Sequence, residues 1–152
     1  MKKNVLDGKT YLSSSLEETL KIGEMISKSL PDGSVILAEG ELGAGKTALA
    51  KGVAKGLGIK EIVNSPTFVI VKEYQGENKH FNHIDAYRLE GEEEVTDIGL
   101  EELLGEEGSI SYVEWSEFIQ EYIDRIKVHL FKVKITFVDE EKRRIEFEVI
   151  HE

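Results

Sequence analysis

The sequence predicts an α/β fold of three layers, with a mixed β-sheet in the middle and an antiparallel hairpin at its C-terminus. Three observations carry this. Val35-Ile36-Leu37-Ala38 is a short apolar run, followed at once by a glycine-rich turn and then by a stretch of helix formers from Thr47 to Ala54. Phe68 to Tyr74 and His80 to Tyr87 are strand-like and are separated only by the polar turn Gln75 to Lys79, so they pair antiparallel. Finally, Phe131, Val133, Ile135 and Phe137 alternate with polar residues, and Ile145, Phe147 and Val149 do the same after a turn at Asp139 to Lys142.

The elements follow in order. Ser15-Leu16-Glu17-Glu18 is a capping box, with Ser15 as N-cap and Glu18 at the third helical position. Leu16, Leu20, Ile26 and Leu30 recur near helical spacing until Pro31-Asp32-Gly33 stops the helix. The second helix ends at Leu57-Gly58, where Gly58 suits a left-handed cap. Ser65-Pro66-Thr67 is a connector. Glu92 to Leu104 is helical in character but interrupted at Gly99, and Ser109 to Val113 is a short strand. Phe118, Ile119, Tyr122, Ile123 and Ile126 make a helical stripe. No repeat, linker or low-complexity stretch divides the chain, so residues 1–152 are expected to form a single domain.

Composition narrows the function. There are no cysteines, which excludes disulfides, thiolate metal sites and cysteine nucleophiles. No apolar run is long enough for a membrane span, and Met1-Lys2-Lys3-Asn4-Val5 does not lead into a signal region. The expectation is a soluble, cytoplasmic protein with no membrane partner. The net charge of −11 argues against direct binding to tRNA or DNA, whose phosphates are met by basic faces. Two glutamate-rich runs, Glu90 to Glu94 and Glu101 to Glu107, read better as solvated faces than as docking surfaces for a basic partner.

Gly40-Glu41-Leu42-Gly43-Ala44-Gly45-Lys46-Thr47 matches G-x-x-x-x-G-K-[ST] without a gap, between a strand and a helix. That context makes it a phosphate-binding loop (P-loop) and the fold P-loop NTPase-like. Glycines let successive amides point inward around a phosphate, and the helix that starts near Lys46 adds its positive end. Lys46 carries a full charge toward the β- and γ-phosphates, and the Thr47 hydroxyl is suited to Mg²⁺.

Phosphoryl chemistry needs Mg²⁺, cations on the phosphates and a positioned nucleophile, so acidic residues at strand ends are the next candidates. Glu114 follows Ile110-Ser111-Tyr112-Val113, where a Walker B carboxylate would hold Mg²⁺; the plain alternative is a surface glutamate. Asp85 ends a buried-looking strand and could orient the attacking water or bind a magnesium-bound water; the alternative is a turn residue. His83, Asp85 and Tyr87 share a face by alternation. His83 reads first as a satisfied core histidine, and Arg88 as a partner of nearby glutamates. Ser65-Pro66-Thr67-Phe68 could sense a γ-phosphate as switch loops do, although spacing alone favours a plain loop. Asn78-Lys79-His80-Phe81 lacks the aspartate of a guanine-reading motif, which favours ATP over GTP.

Together these blocks resemble the TsaE family (formerly YjeE) of small bacterial P-loop ATPases. The matching residues are Gly40 to Thr47, Ser65-Pro66-Thr67-Phe68, Glu73-Tyr74, His83-Ile84-Asp85-Ala86-Tyr87-Arg88-Leu89 and Val113-Glu114-Trp115. The resemblance implies an ATPase that acts in making threonylcarbamoyladenosine in tRNA. It would dock on a complex of the threonylcarbamoyl transferase and its paralogous partner, touching tRNA only indirectly. It implies that residues 40–48, including Ala48, bind ATP with Thr19 and Thr67, and that Thr47 and Glu114 are the Mg²⁺ ligands. It implies that Asp85, Lys46 and Glu114 serve hydrolysis, that residues 65–68 form a nucleotide-sensitive switch, and that Arg143 or Arg144 contacts the base. Ser116 stands where many members carry proline, and Ala48 where many carry threonine. Two other readings remain. One is a small-molecule or nucleotide kinase, although arginine is scarce where a phosphate-shielding lid would lie. The other is a nucleotide-gated binding module without useful turnover.

Overall fold

A computed structural model describes residues 7–41, 44–63, 70–77, 79–87, 89, 95 and 99–151. Its elements run β1 (Thr10–Ser13), α1 (Leu16–Lys28), β2 (Val35–Glu39), α2 (Lys46–Gly56), β3 (Val71–Gln75), β4 (His80–Asp85), α3 (Leu100–Leu103) and β5 (Ser109–Glu114). A 3₁₀ turn (Ser116–Ile119), α4 (Gln120–Arg125), β6 (Leu130–Phe137) and β7 (Arg143–His151) complete it. The strands form one sheet in the order β1-β7-β6-β2-β5-β4-β3. Strands β6, β2, β5 and β4 are mutually parallel, while β3, β7 and β1 join antiparallel to their neighbours, so the sheet is mixed.

Alternation along the central strands divides the core into two layers. Ile36 and Ala38 of β2, Ile110 and Tyr112 of β5 and Phe81 of β4 face α1 and α2, with Ile26, Leu49 and Val53 above them. Val35, Leu37, Ile84 and Val113 point the other way, against Leu100, Leu104, Tyr122 and Ile123. The result is helices on both faces of a sheet, as the sequence predicts.

Local chemistry explains the ends of α1 and α2. Ser15 is extended and its hydroxyl accepts the Glu18 amide at 3.1 Å; Glu18 in turn accepts the Ser14 amide at 2.7 Å. Gly58, at φ +80°, follows the last turn of α2 as expected. The two helices touch through Gly23 and Gly52. A Cβ at Gly23 would lie 2.6 Å from the Leu49 carbonyl, and one at Gly52 would strike the Leu20 carbonyl.

Several expectations shift. Strand β1 was not read from the sequence; four residues with one buried side chain give almost no periodic signal. Strand β4 ends at Asp85, because the Asp85 side chain accepts the Tyr87 amide at 3.0 Å and turns the chain. Within the expected helix Glu92 to Leu104, α3 spans Leu100–Leu103, entered through Gly99 at φ +77°; residues 90–94 and 96–98 lie outside the described set. The stripe after Trp115 starts as a 3₁₀ turn, leaving Phe118 exposed, and Ile126 already leaves α4 in extended conformation. Leu16 and Phe137 are also exposed, at a helix start and a hairpin tip. The hairpin itself has the alternation predicted: Phe131, Val133, Ile135, Ile145 and Phe147 are buried.

Candidate functional site

The parallel strands β2, β4 and β5 end side by side. Ala38 of β2 pairs in register with Glu114 of β5, which pairs with Asp85 of β4. Open α/β sheets place their sites at these carboxyl ends. Glu114 continues the alternation of Ile110 and Tyr112, so its side chain lies on the face covered by α1 and α2.

The chain leaves β2 through Gly40, which β6 approaches closely: a Cβ there would lie 2.7 Å from the Ile135 carbonyl. Ala44 donates its amide to the Glu41 carbonyl at 2.9 Å. Gly45, the N-cap of α2, has φ +112°, a conformation costly for any residue with a Cβ. No side chain caps this helix, and the Leu49 amide bonds back to Gly45 at 3.0 Å. The first amides of α2 have no intrahelical acceptor, and the positive end of an eleven-residue helix stands behind them.

Lys46 is buried, with its ammonium 3.9 Å from the centre of the Trp115 ring. Trp115 alone among the described non-glycine residues has positive φ, at +60°. Its ring also meets Tyr87 edge-on at 5.3 Å, and Tyr87 meets Phe118 at 5.3 Å. Strain of this size survives where surrounding contacts impose it, and it clusters at functional sites. The Tyr112 hydroxyl donates to the Lys46 carbonyl at 2.7 Å, tying α2 to β5. Burial first, and then the Glu114 charge, push the Tyr112 hydroxyl well above its ordinary pKa, which keeps it a neutral donor.

Glu114 is 5 % exposed and its Oε2 lies 2.6 Å from Nε2 of the fully buried His83. His83 is therefore not a satisfied core residue: its Nδ1 has no hydrogen-bond partner among the described residues. Thr47 and Ala48 are half-buried at the start of α2, and Asp85 is half-buried at the end of β4. Thr19 is buried near the start of α1, where its hydroxyl sits 2.7 Å from that of Ser13 and donates to the Ser15 carbonyl at 3.3 Å. Leu42, Gly43, Ser65 to Phe68 (Thr67 included) and Arg88 lie outside the described residues.

Besides the His83–Glu114 bond, sequence reasoning missed a connection between the hairpin and the loop before α2. Arg143, at the start of β7, donates from Nε to the Ala44 carbonyl at 2.8 Å and from a terminal nitrogen to the Asp139 carbonyl at 2.6 Å. Its guanidinium lies 4.7 Å from the Phe137 ring centre. The hairpin thus grips the glycine-rich loop at Ala44. Alternation with Ile145 separates the two arginines, since Arg143 falls on the loop face and Arg144 on the other.

Among the described residues no group of three or more His, Asp or Glu could hold a metal by itself. Mg²⁺ fits this donor set differently, by taking one or two protein groups and completing its shell with phosphate oxygens and water. No described helix is long and apolar enough to cross a membrane.

Comparison with known proteins agrees with this architecture. Residues 13–145 match the family model described as "Threonylcarbamoyl adenosine biosynthesis protein TsaE". The curated tRNA threonylcarbamoyladenosine biosynthesis protein TsaE of Bacillus subtilis is 40 % identical over 134 residues, covering 88 % of this chain and 81 % of the relative. Its counterpart from Aquifex aeolicus is 37 % identical over 139 residues, 90 % and 93 % of the two chains. The crystal structure of Bacillus subtilis YdiB superposes with a TM-score of 0.76 at 30 % identity, over 97 % of this chain and 89 % of that one.

Proposed function

The chain belongs to the TsaE family of threonylcarbamoyl adenosine biosynthesis proteins, and from that premise we propose that it is a Mg²⁺-dependent ATPase. One observation carries the reading: a buried lysine at an uncapped helix start, beside a buried carboxylate at the end of the adjacent strand. In this proposal residues 40–48, with Thr19 and Thr67, hold ATP, and the amides of the loop meet its phosphates. Lys46 leaves the Trp115 ring for the β- and γ-phosphates. Thr47 and Glu114 would hold Mg²⁺, which would neutralise developing charge on the phosphates. Asp85, the register partner of Glu114 on β4, orients the attacking water. Arg143 keeps the loop in shape from behind.

The output is cytoplasmic tRNA threonylcarbamoyladenosine formation. The chain acts there as an accessory that docks, according to its nucleotide state, on the threonylcarbamoyl transferase and its paralogous partner. Its acidic charge suits action through proteins, with tRNA contacted indirectly. The test is phosphate release from ATP with Mg²⁺, measured with and without the transferase complex. Slow release that quickens with the complex is expected. Transfer of the γ-phosphate to a small-molecule acceptor would establish the kinase alternative, and nucleotide binding without turnover in either setting would leave a gated binding module.

A further inference from the structure

We propose that His83 is a positioning residue that fixes the Glu114 carboxylate for the cation of the nucleotide site. The inference rests on Glu114 being a cation ligand, as proposed above. His83 has no exposed surface and lies against Tyr112, ring to ring at 5.5 Å and 86°, and against Phe81 at 6.1 Å. An apolar ring would pack in that place without leaving an unpartnered nitrogen. The imidazole leaves one, because its Nδ1 finds no acceptor or donor among the described residues. What the histidine gains is the 2.6 Å bond from Nε2 to Glu114 Oε2. A carboxylate accepts, so Nε2 carries the hydrogen.

This bond constrains Glu114 strongly. The imidazole is held by packing on β4, one strand away, so its N–H is a fixed point and not a mobile side-chain tip. Binding Oε2 there restricts the rotation of the carboxylate and leaves lone pairs free to face a cation. Groups that orient a ligand in this way typically change metal affinity by about 10–100-fold when removed.

The experiment compares wild type, His83→Phe, His83→Gln and Glu114→Ala by calorimetry with ATP, with and without Mg²⁺. Electron paramagnetic resonance then counts Mn²⁺ bound to each ATP complex. Phenylalanine keeps the ring and removes the donor; glutamine restores an N–H near the same place. Metal-free ATP affinity should stay within about twofold of wild type in the two His83 variants. Cation affinity of the ATP complex should fall about 10–100-fold in His83→Phe and recover to within a few-fold in His83→Gln. Unchanged cation affinity in His83→Phe, with Glu114→Ala weakened, overturns the positioning role alone. Unchanged affinity in Glu114→Ala removes the ligand assignment beneath it. Equal losses of metal-free and metal-bound affinity would make His83 merely structural. A two-bond ¹H–¹⁵N spectrum of the wild type needs no variant: hydrogen on Nε2 is expected, and hydrogen on Nδ1 with Nε2 bare overturns the proposal.

Discussion

The two poles of the central strands hold their charged groups differently, although among the described residues the far pole also has unmatched buried atoms in Tyr74 Oη and His129 Nδ1. At the pole opposite the glycine-rich loop, Asp32 is matched on both oxygens: Lys79 donates to Oδ1 at 2.6 Å and the Gly108 amide to Oδ2 at 2.9 Å. A cavity of about 560 Å³ opens there between Asp32, Gly105, His129 and His151. At the loop pole, groups are buried and poorly matched. Lys46 rests on an aromatic face, Trp115 is strained, and His83 is satisfied on one side only. Matched charges raise stability, whereas strained and perturbed groups cluster at functional sites. The contrast predicts that substitutions at the loop pole alter ligand binding more than folding, and substitutions at the other pole the reverse.

The largest effect should come from Lys46→Ala. ATP affinity is expected to fall at least about 100-fold, close to 2.7 kcal/mol. Stability should change by no more than the cation–π contact, about 0.5–2 kcal/mol. Calorimetric ATP titration and thermal unfolding measure the two halves. Retained affinity would remove the phosphate-loop reading, and global unfolding would make Lys46 a folding residue. A companion measurement uses the single tryptophan: Trp115 emission should shift on ATP binding as the ammonium departs, and a silent titration would leave Lys46 in place.

Next is the pair Glu114→Ala and Glu114→Gln. Both should lose Mg²⁺-dependent hydrolysis, but they should differ in folding. Alanine leaves the buried His83 N–H without an acceptor, at a cost of about 1–3 kcal/mol; glutamine keeps a carbonyl for it. Urea denaturation should separate them by more than about 1 kcal/mol. Equal stabilities would mean that the His83–Glu114 bond contributes nothing to the fold.

Between the poles, Gly52→Ala tests the scaffold that presents the loop. Its Cβ would meet the Leu20 backbone, so the helices must part, at a cost of about 1–3 kcal/mol. An unfolding midpoint equal to wild type would show that α1 and α2 can separate freely.

The sequence carried the parts of this comparison that are local. Ser15 and Glu18 cap a helix three residues apart, and Gly45 and Lys46 adjoin at the start of another, so their spacing is legible in the chain itself. The sheet order is not local. Strand β6 lies beside β2 although about ninety residues separate them, and β1 joins the sheet by pairing with β7 from the other end of the chain. The site divides the same way. Glu114 and Asp85 were legible as strand ends. The bonds from His83 to Glu114 and from Arg143 to Ala44 span 31 and 99 residues, and only the folded sheet brings those partners together.

The smallest effect belongs to the matched pole. Lys79 first, and then the Gly108 amide, hold the Asp32 carboxyl below its ordinary 3.8. A carboxyl with a depressed folded pKa binds fewer protons folded than unfolded. Its stabilisation is therefore complete well above pH 3.8 and is lost as pH falls through the folded value. The pair is partly exposed, so its contribution is only about 0.2–1 kcal/mol. Asp32→Asn should be less stable than wild type by about that amount at neutral pH, and the gap should close on acidification. Denaturant curves from pH 7 down to about pH 2.5 measure it. A gap that widened in acid would contradict the sign. ATP affinity should not change, because Asp32 lies at the far end of the sheet; a loss there would show that the two poles are coupled after all.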